Sequence, residues 1–347
     1  MLIYSLIFGI ALLSSAVLVA TQHLHGHLSA DNSFGVQNHH AEATPRIGGV
    51  AIALGLLASW VLAPPKVAAI IGPMLLAAIP AFAFGLAEDL TKKVSAMRRL
   101  QASVVSGFLA WYLSGILVQH TGFMPLDWLL SFLPFAVLFT ALAIGGFTHA
   151  INIIDGFNGL ASGSVAIMSA AMGLISLQVG DTPLATTCFL VTSFSLGFGL
   201  INWPLGKLFL GDGGAYLLGF VLAYLALLLP MRNSEISPWA SLLVCAYPVL
   251  EVLFSLLRRF KSQVQHSFEA DRQHLHHHIH LRVVSRALSQ VSAKLQNSMT
   301  SPLCWIATAL PAGAAVVFST HKSILILSFF LALLAYWAVY TRLAQTN

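Results

Sequence analysis

"FLGDGGAYLLGFVLAYLALLLP", residues 209 to 230, joins two kinds of chemistry in one stretch. Residues 213 to 230 carry no charge and are long and apolar enough to cross a bilayer as a helix. Just before them Asp212 sits among Gly211, Gly213 and Gly214, where the backbone can approach a ligand closely and a helix N-terminus offers free N–H groups to an anion. A membrane span with a polar, ligand-ready end sets the reading of everything around it.

The composition agrees. Of 347 residues, 57% are hydrophobic and only 8% charged, whereas a soluble domain is about a quarter charged. One soluble core is therefore excluded. Cys188, Cys245 and Cys304 lie in apolar runs with no C-x-x-C spacing, which suits packing and suggests neither a disulfide framework nor a thiolate zinc site. Apolar segments recur at roughly 2–20, 47–63, 67–87, 100–118, 128–148, 159–178, 184–201, 213–230, 238–257, 303–319 and 323–341. The first lacks the basic start of a secretory signal and reads as a retained span. Pro80, Pro134 and Pro248 fall inside spans, where neighbouring helices can satisfy the freed backbone groups. The expectation is an all-α polytopic membrane protein of about eleven transmembrane helices, with residues 1–347 forming a single domain.

Lys and Arg accumulate on the cytoplasmic side of a membrane. With the N-terminus outside, only Lys66, Arg232 and Lys322 of the 17 basic residues lie outside. That orientation gathers the loops 21–46, 88–99, 149–158, 202–212 and 258–302 on the cytoplasmic face, where the active site is expected. The excess of basic charge suits anionic lipid and phosphate substrates, and no nucleic-acid motif accompanies it.

Acidic residues number only twelve, so their placement carries information. Glu88 and Asp89 end the third span in "GLAEDLTKK", Asp155 follows the fifth in "NIIDGFNGLASG", and Asp212 opens the eighth. All three sites share one membrane face. Solvated helix ends would account for any one of them, but less readily for three. Glycines around Asn158 and Asp212 favour a phosphate guest. Carboxylates beside a phosphate repel it unless a cation intervenes, and hard oxygen ligands suit Mg²⁺ bridging a diphosphate, with Mn²⁺ as a substitute. Lys92, a helical turn beyond Asp89, adds positive charge or anchors the membrane surface.

These motifs together resemble the polyprenyl-phosphate N-acetylhexosamine-1-phosphate transferases, the superfamily of WecA-like and MraY-like enzymes. Its acidic pair and lysine correspond to Glu88, Asp89 and Lys92; its N-x-x-D-G-x-[ND]-G-L-A motif to Asn152, Asp155, Gly156, Asn158, Gly159, Leu160 and Ala161; its G-D-x-G motif to Gly211, Asp212 and Gly214; and its H-[IL]-H-H motif to His274, Leu275, His276 and His277. "TPRIGGVAI" at 44–52 is similar to the loop leading into the family's second span. The chain departs at Glu88, where the family usually has aspartate, which lengthens the carboxylate's arm.

The resemblance implies that a lipid phosphate, undecaprenyl phosphate, attacks the β-phosphate of a UDP-sugar to give a lipid-diphospho-sugar and UMP. This would begin a surface glycan such as O-antigen in the bacterial inner membrane. It implies Asp212 and Asp89 as Mg²⁺ ligands, Glu88 or Asp89 as the base for the lipid phosphate, and Asp155, Asn152 and Asn158 for nucleotide or phosphate contacts. A homodimer is compatible with it. "DRQHLHH" and "TPRIGG" point to the WecA-like branch and a UDP-N-acetylhexosamine donor, with an MraY-like transferase of a muramoyl-peptide donor as the alternative.

The run 274–277 offers several imidazoles to phosphate or sugar oxygens over a short distance. Zinc is the competing guest, without a thiolate partner. Asp271 either orients one of these imidazoles or is a loop charge. His23, His25, His27, His39 and His40 read as solvated loop residues. Arg282, Arg286, Gln290 and Lys294 against Val284, Leu288, Val291 and Leu295 predict an amphipathic helix on the inner leaflet, or an ordinary surface helix. Glu251 is an intramembrane carboxylate, either structural or lining a lipid-phosphate groove. A secondary transporter competes from another class, but it calls for carboxylates near the midplane and related halves, and the chain shows no repeat.

Overall fold

A computed structural model describes residues 1–29, 44–262 and 273–345. They form α1 (Leu2–Ala20), α2 (Gln22–Ser29), α3 (Gly48–Leu62), α4 (Pro65–Thr91), α5 (Ala96–Ser114), α6 (Met124–Leu130), α7 (Leu133–Ile154), α8 (Leu160–Gln178), α9 (Thr182–Asn202), α10 (Gly211–Arg232), α11 (Pro238–Val244), α12 (Ala246–Ser262), α13 (Leu275–Ile279), α14 (Ser285–Ala287), α15 (Ala293–Val317) and α16 (Lys322–Gln345). Among the described residues, α1, α4, α7, α8, α9, α10, α15 and α16 are long and apolar enough to cross a membrane. The broken pair α11–α12, bent by 77°, makes a ninth. Helices cover all eleven expected segments. Two fall short as spans: α3 has 15 residues, and α5 carries Arg98, Arg99 and Gln101 in its first turns.

The breaks follow from the prolines. Pro248 has no N–H to give and its ring crowds the carbonyl four residues back, which belongs to Val244, the last residue of α11. In α4, Pro80 stays within a continuous helix because the next backbone N–H, from Ala81, donates to Ser106 Oγ of α5 at 3.1 Å. Pro134 sits in the first turn of α7, where a missing N–H costs nothing.

Helix α10 runs through the middle of the bundle, packed by α3, α4, α7 and α8 and buried on every side from Gly211 to Leu225. A helix apolar all round belongs in such a position. Its first turn lies tight against α4: a Cβ on Gly85 would stand 2.8 Å from the Asp212 carbonyl. The segment ahead of α3 also binds there, with Phe209 N–H donating to Pro45 O at 2.9 Å and Gly48 and Gly49 N–H donating to Phe209 O and Leu210 O at 3.0 and 2.9 Å. Gly211 turns the chain at φ 72° before α10 begins.

The predicted amphipathic helix through 282–294 does not form as one piece. A π turn over His280–Val284 leads into α14, which stops at Ala287, and a new helix starts after Ser292. Gln296 Nε2 holds that break by donating to Leu288 O at 3.0 Å and Val291 O at 2.9 Å. Asp271, His39 and His40 lie outside the described residues.

Candidate active site

Three loops meet at the N-terminus of α10. Asp89, near the end of α4 and 1% exposed, accepts Asp212 N–H on Oδ1 and Gly213 N–H on Oδ2, both at 2.8 Å. A carboxylate across the first turn of a helix satisfies its orphan donors and meets the positive end of its dipole. Both Asp89 oxygens are thus committed to backbone. These two bonds fix the backbone that presents Asp212.

Asp212 carries the exposed part of the pair, its side chain 10% accessible. It forms an ion pair with Arg99, lies 3.5 Å from Arg46 Nη2 and accepts from Asn152 Nδ2 at 3.3 Å. Arg46 also stands 4.0 Å from Asp89. The Arg99 guanidinium lies 5.9 Å from the Tyr216 ring centroid, and Tyr216 shares a 2.7 Å hydrogen bond with His149. Sequence reading brought Asp89, Asn152, Asp155 and Asp212 to one place but assigned no role there to Arg46, Arg99, Tyr216 or His149. The signal for Arg99 was an arginine pair opening an otherwise apolar helix; for Arg46, its place in "TPRIGG".

Asp155 ends α7 and is partly buried. Burial pushes its carboxyl up to about 7, Arg46 opposes the shift, and the negative charge of Asp89 adds to it. Glu88 is half-buried, and its Oε2 accepts Val94 N–H at 2.7 Å, closing the α4–α5 turn in which Lys92 adopts φ 55°. Lys92 is exposed and acts on Asp89 through its charge. Asn158 is held by its neighbours in α15. It is 5% exposed, its Nδ2 donates to Ser298 Oγ at 3.2 Å, its N–H donates to Asn297 Oδ1 at 3.0 Å, and its carbonyl accepts from Ser301 Oγ at 2.7 Å. It fastens the 155–159 turn to α15.

The histidines stand on the far side of that turn. His274 is 5% exposed and His276 fully buried; their Nδ1 atoms lie 3.1 and 3.4 Å from opposite oxygens of Glu251. Phe157 packs edge-on against His276 and His277. Among the described residues no group of three His, Cys, Asp or Glu is placed to hold a metal ion. The oxygen donors still suit one bound partly by substrate: the Asp212 carboxylate is paired with the arginines Arg46 and Arg99, and Mg²⁺ characteristically takes one or two carboxylates plus phosphate oxygens.

Residues 71–230 match the family model described as Glycosyl transferase family 4. The undecaprenyl-phosphate alpha-N-acetylglucosaminyl 1-phosphate transferase of Yersinia pestis is 27% identical over 283 residues, covering 80% of this chain and 75% of that protein. The protein of the same description from Escherichia coli strain K12 is 26% identical over 246 residues, 70% of this chain and 66% of its own length. The probable undecaprenyl-phosphate N-acetylglucosaminyl 1-phosphate transferase of Bacillus subtilis strain 168 is 27% identical over 253 residues, 69% and 66% of the two chains.

Proposed function

From the match of residues 71–230 to glycosyl transferase family 4 and the geometry at the start of α10, we propose that the chain transfers N-acetylglucosamine 1-phosphate from UDP-N-acetylglucosamine to undecaprenyl phosphate, starting a lipid-linked glycan at the cytoplasmic face of a bacterial membrane. An oxygen of the lipid phosphate bonds to the β-phosphorus, the bond from that phosphorus to the bridging oxygen breaks, and UMP leaves with the oxygen. The observation that carries this reading is the meeting of Asp212 with Arg46, Arg99 and Asn152 at the glycine-rich start of α10.

The nucleophile is already an anion, so the protein's work is to bring two anions together and neutralise them. Arg46 and Arg99, which both pair with Asp212, are suited to swing onto phosphate oxygens. Asp212 would hold Mg²⁺, with Asp89 fixing its backbone; the ion, or Mn²⁺, would supply charge neutralisation of the diphosphate. Asp155, with a carboxyl that titrates near neutral pH, is the group best suited to exchange a proton with the lipid phosphate.

The test is UMP release by purified protein in detergent with undecaprenyl phosphate, UDP-N-acetylglucosamine and Mg²⁺. Release that requires lipid and metal and is lost in Asp212→Asn supports the reading. Folded protein that releases no UMP under any of these conditions rejects it.

A further inference from the structure

Three helices converge on the Tyr216 ring. On α10, Asp212 and Tyr216 stand one turn apart and share a face. On α7, His149 and Asn152 do the same. The two faces meet through two bonds: Asn152 Nδ2 donates to Asp212 Oδ1 at 3.3 Å, and the Tyr216 hydroxyl and His149 Nδ1 share a hydrogen bond of 2.7 Å. Tyr216 is fully buried, and His149 gives its hydroxyl the partner that burial demands. The imidazole also meets the phenol ring edge-on, with centroids 5.8 Å apart. Tyr216 is thereby held in one place.

From α5, Arg99 lies across this face. Its guanidinium pairs with Asp212 Oδ2 and stands over the Tyr216 ring, 5.9 Å from the centroid, where an aromatic face attracts a cation. Arg46 takes the other oxygen, 3.5 Å from Oδ1. Both oxygens of Asp212 therefore face a guanidinium, while both oxygens of Asp89 are committed to backbone N–H groups. Two carboxyl groups are matched by two arginines. A divalent cation arriving alone would meet those arginines at its own ligand, and like charges at such distances repel strongly. Arg99 is not locked in this position: its Nε is buried and has no hydrogen-bond partner among the described residues, leaving a donor that a phosphate oxygen can satisfy.

We propose that Arg99, seated on Tyr216, closes Asp212 to divalent cations in the substrate-free protein and opens it when diphosphate oxygens draw the guanidinium away. This rests on the transferase reading above and adds an order to it: the sugar nucleotide binds with the ion or before it. Tyr216 acts through Arg99, as a positioning residue.

The test measures Mn²⁺ bound to the purified full chain by electron paramagnetic resonance, without nucleotide, with Asp212→Asn as the blank. Arg99→Gln removes the charge and is expected to bind Mn²⁺ about tenfold more tightly than wild type. Tyr216→Leu, which removes the aromatic seat, is expected to gain about threefold, and Tyr216→Phe, which keeps the ring, to stay within about twofold of wild type. A damaged fold loses affinity, so a merely structural role for these residues does not imitate a gain. Equal affinity in wild type and Arg99→Gln overturns the proposal, as does a gain that persists when Asp212→Asn is added to Arg99→Gln. A gain in Arg99→Gln with none in Tyr216→Leu overturns the part given to Tyr216. If one of these variants does not fold, the other decides. UDP binding is measured separately: wild-type protein that binds UDP neither with nor without Mn²⁺ rejects the transferase reading, a failure that the nucleotide-free titrations keep distinct.

Discussion

Asp155 and Asp89 carry the same carboxyl into different work, and the difference is measurable. Burial favours the neutral form of Asp155 and lifts it to about 7. The sign follows: a raised acid stabilises the fold below its unfolded value near 3.8, and that contribution is lost as pH climbs through about 7. At pH 8 the wild type therefore holds an ill-solvated charge, and Asp155→Asn is expected to raise the thermal midpoint while abolishing UMP release. At pH 5 the gain in midpoint should shrink to roughly a third of its size at pH 8, and wild-type activity should climb between about pH 6 and 8. Thermal scans at both pH values, run beside a turnover profile, check this; a midpoint gain that does not depend on pH would refute it. Asp89 is set apart by its partners. Its two charge-assisted bonds to the start of α10 make Asp89→Asn destabilising by about 1.5–3 kcal/mol, with activity falling alongside. Asp212→Asn is expected to lower turnover by about 10²–10³-fold, measured at saturating substrate.

At the scale of elements, the close seat of α10 on α4 is what brings Asp89 to Asp212. Gly85→Ala inserts a Cβ 2.8 Å from the Asp212 carbonyl, against backbone that cannot yield locally. The expected cost is about 1–3 kcal/mol of overpacking, read as a lower thermal midpoint with loss of UMP release. Gly313→Ala in α15 is the contrast: its Cβ meets nothing within 4 Å, and a helix prefers alanine by about 0.5–1 kcal/mol. It should leave activity intact and hold or raise the midpoint. Apolar length alone located every long helix, because a bilayer imposes one period and one length on each of them. The α11–α12 bend was less legible. Pro248 was visible, but whether a proline kinks or breaks a span depends on neighbours such as Ser106, which spares α4 at Pro80. The helix expected over 282–294 failed for a similar reason: its charge stripe is local, whereas the break is held by Gln296 from the next helix.

For the molecule as a whole, the sequence located the carboxylates but not the cations that hold them. Scarce acids at span ends stand out in an apolar chain, and a shared face follows from counting spans. Arg46 and Arg99 come from separate loops, and nothing local in either reports that both reach Asp212. Asn158 illustrates the converse: a residue inside a motif spends its side chain on α15, a partner about 140 residues away. The bundle also separates its polar chemistry by end. At the end opposite Asp212, Lys322 Nζ donates to Gly122 O at 3.0 Å and Asp127 receives Thr121 and Gly122 N–H, contacts that tie loops without gathering free carboxylates. Among the described residues the basic ones fall unevenly between these ends, with only Lys66, Arg232 and Lys322 on the side away from the site. By the positive-inside bias the site is expected to face the cytoplasm. Single cysteines at exposed Lys93 and exposed Lys66, in a chain whose Cys188, Cys245 and Cys304 are buried, test it. In intact cells a membrane-impermeant maleimide should label the Lys66→Cys variant and spare Lys93→Cys, and both should label once the membrane is opened. The reverse pattern would place the arginines, Asp212 and the histidines outside, away from any cytoplasmic sugar nucleotide, and the proposed reaction would lose its substrate.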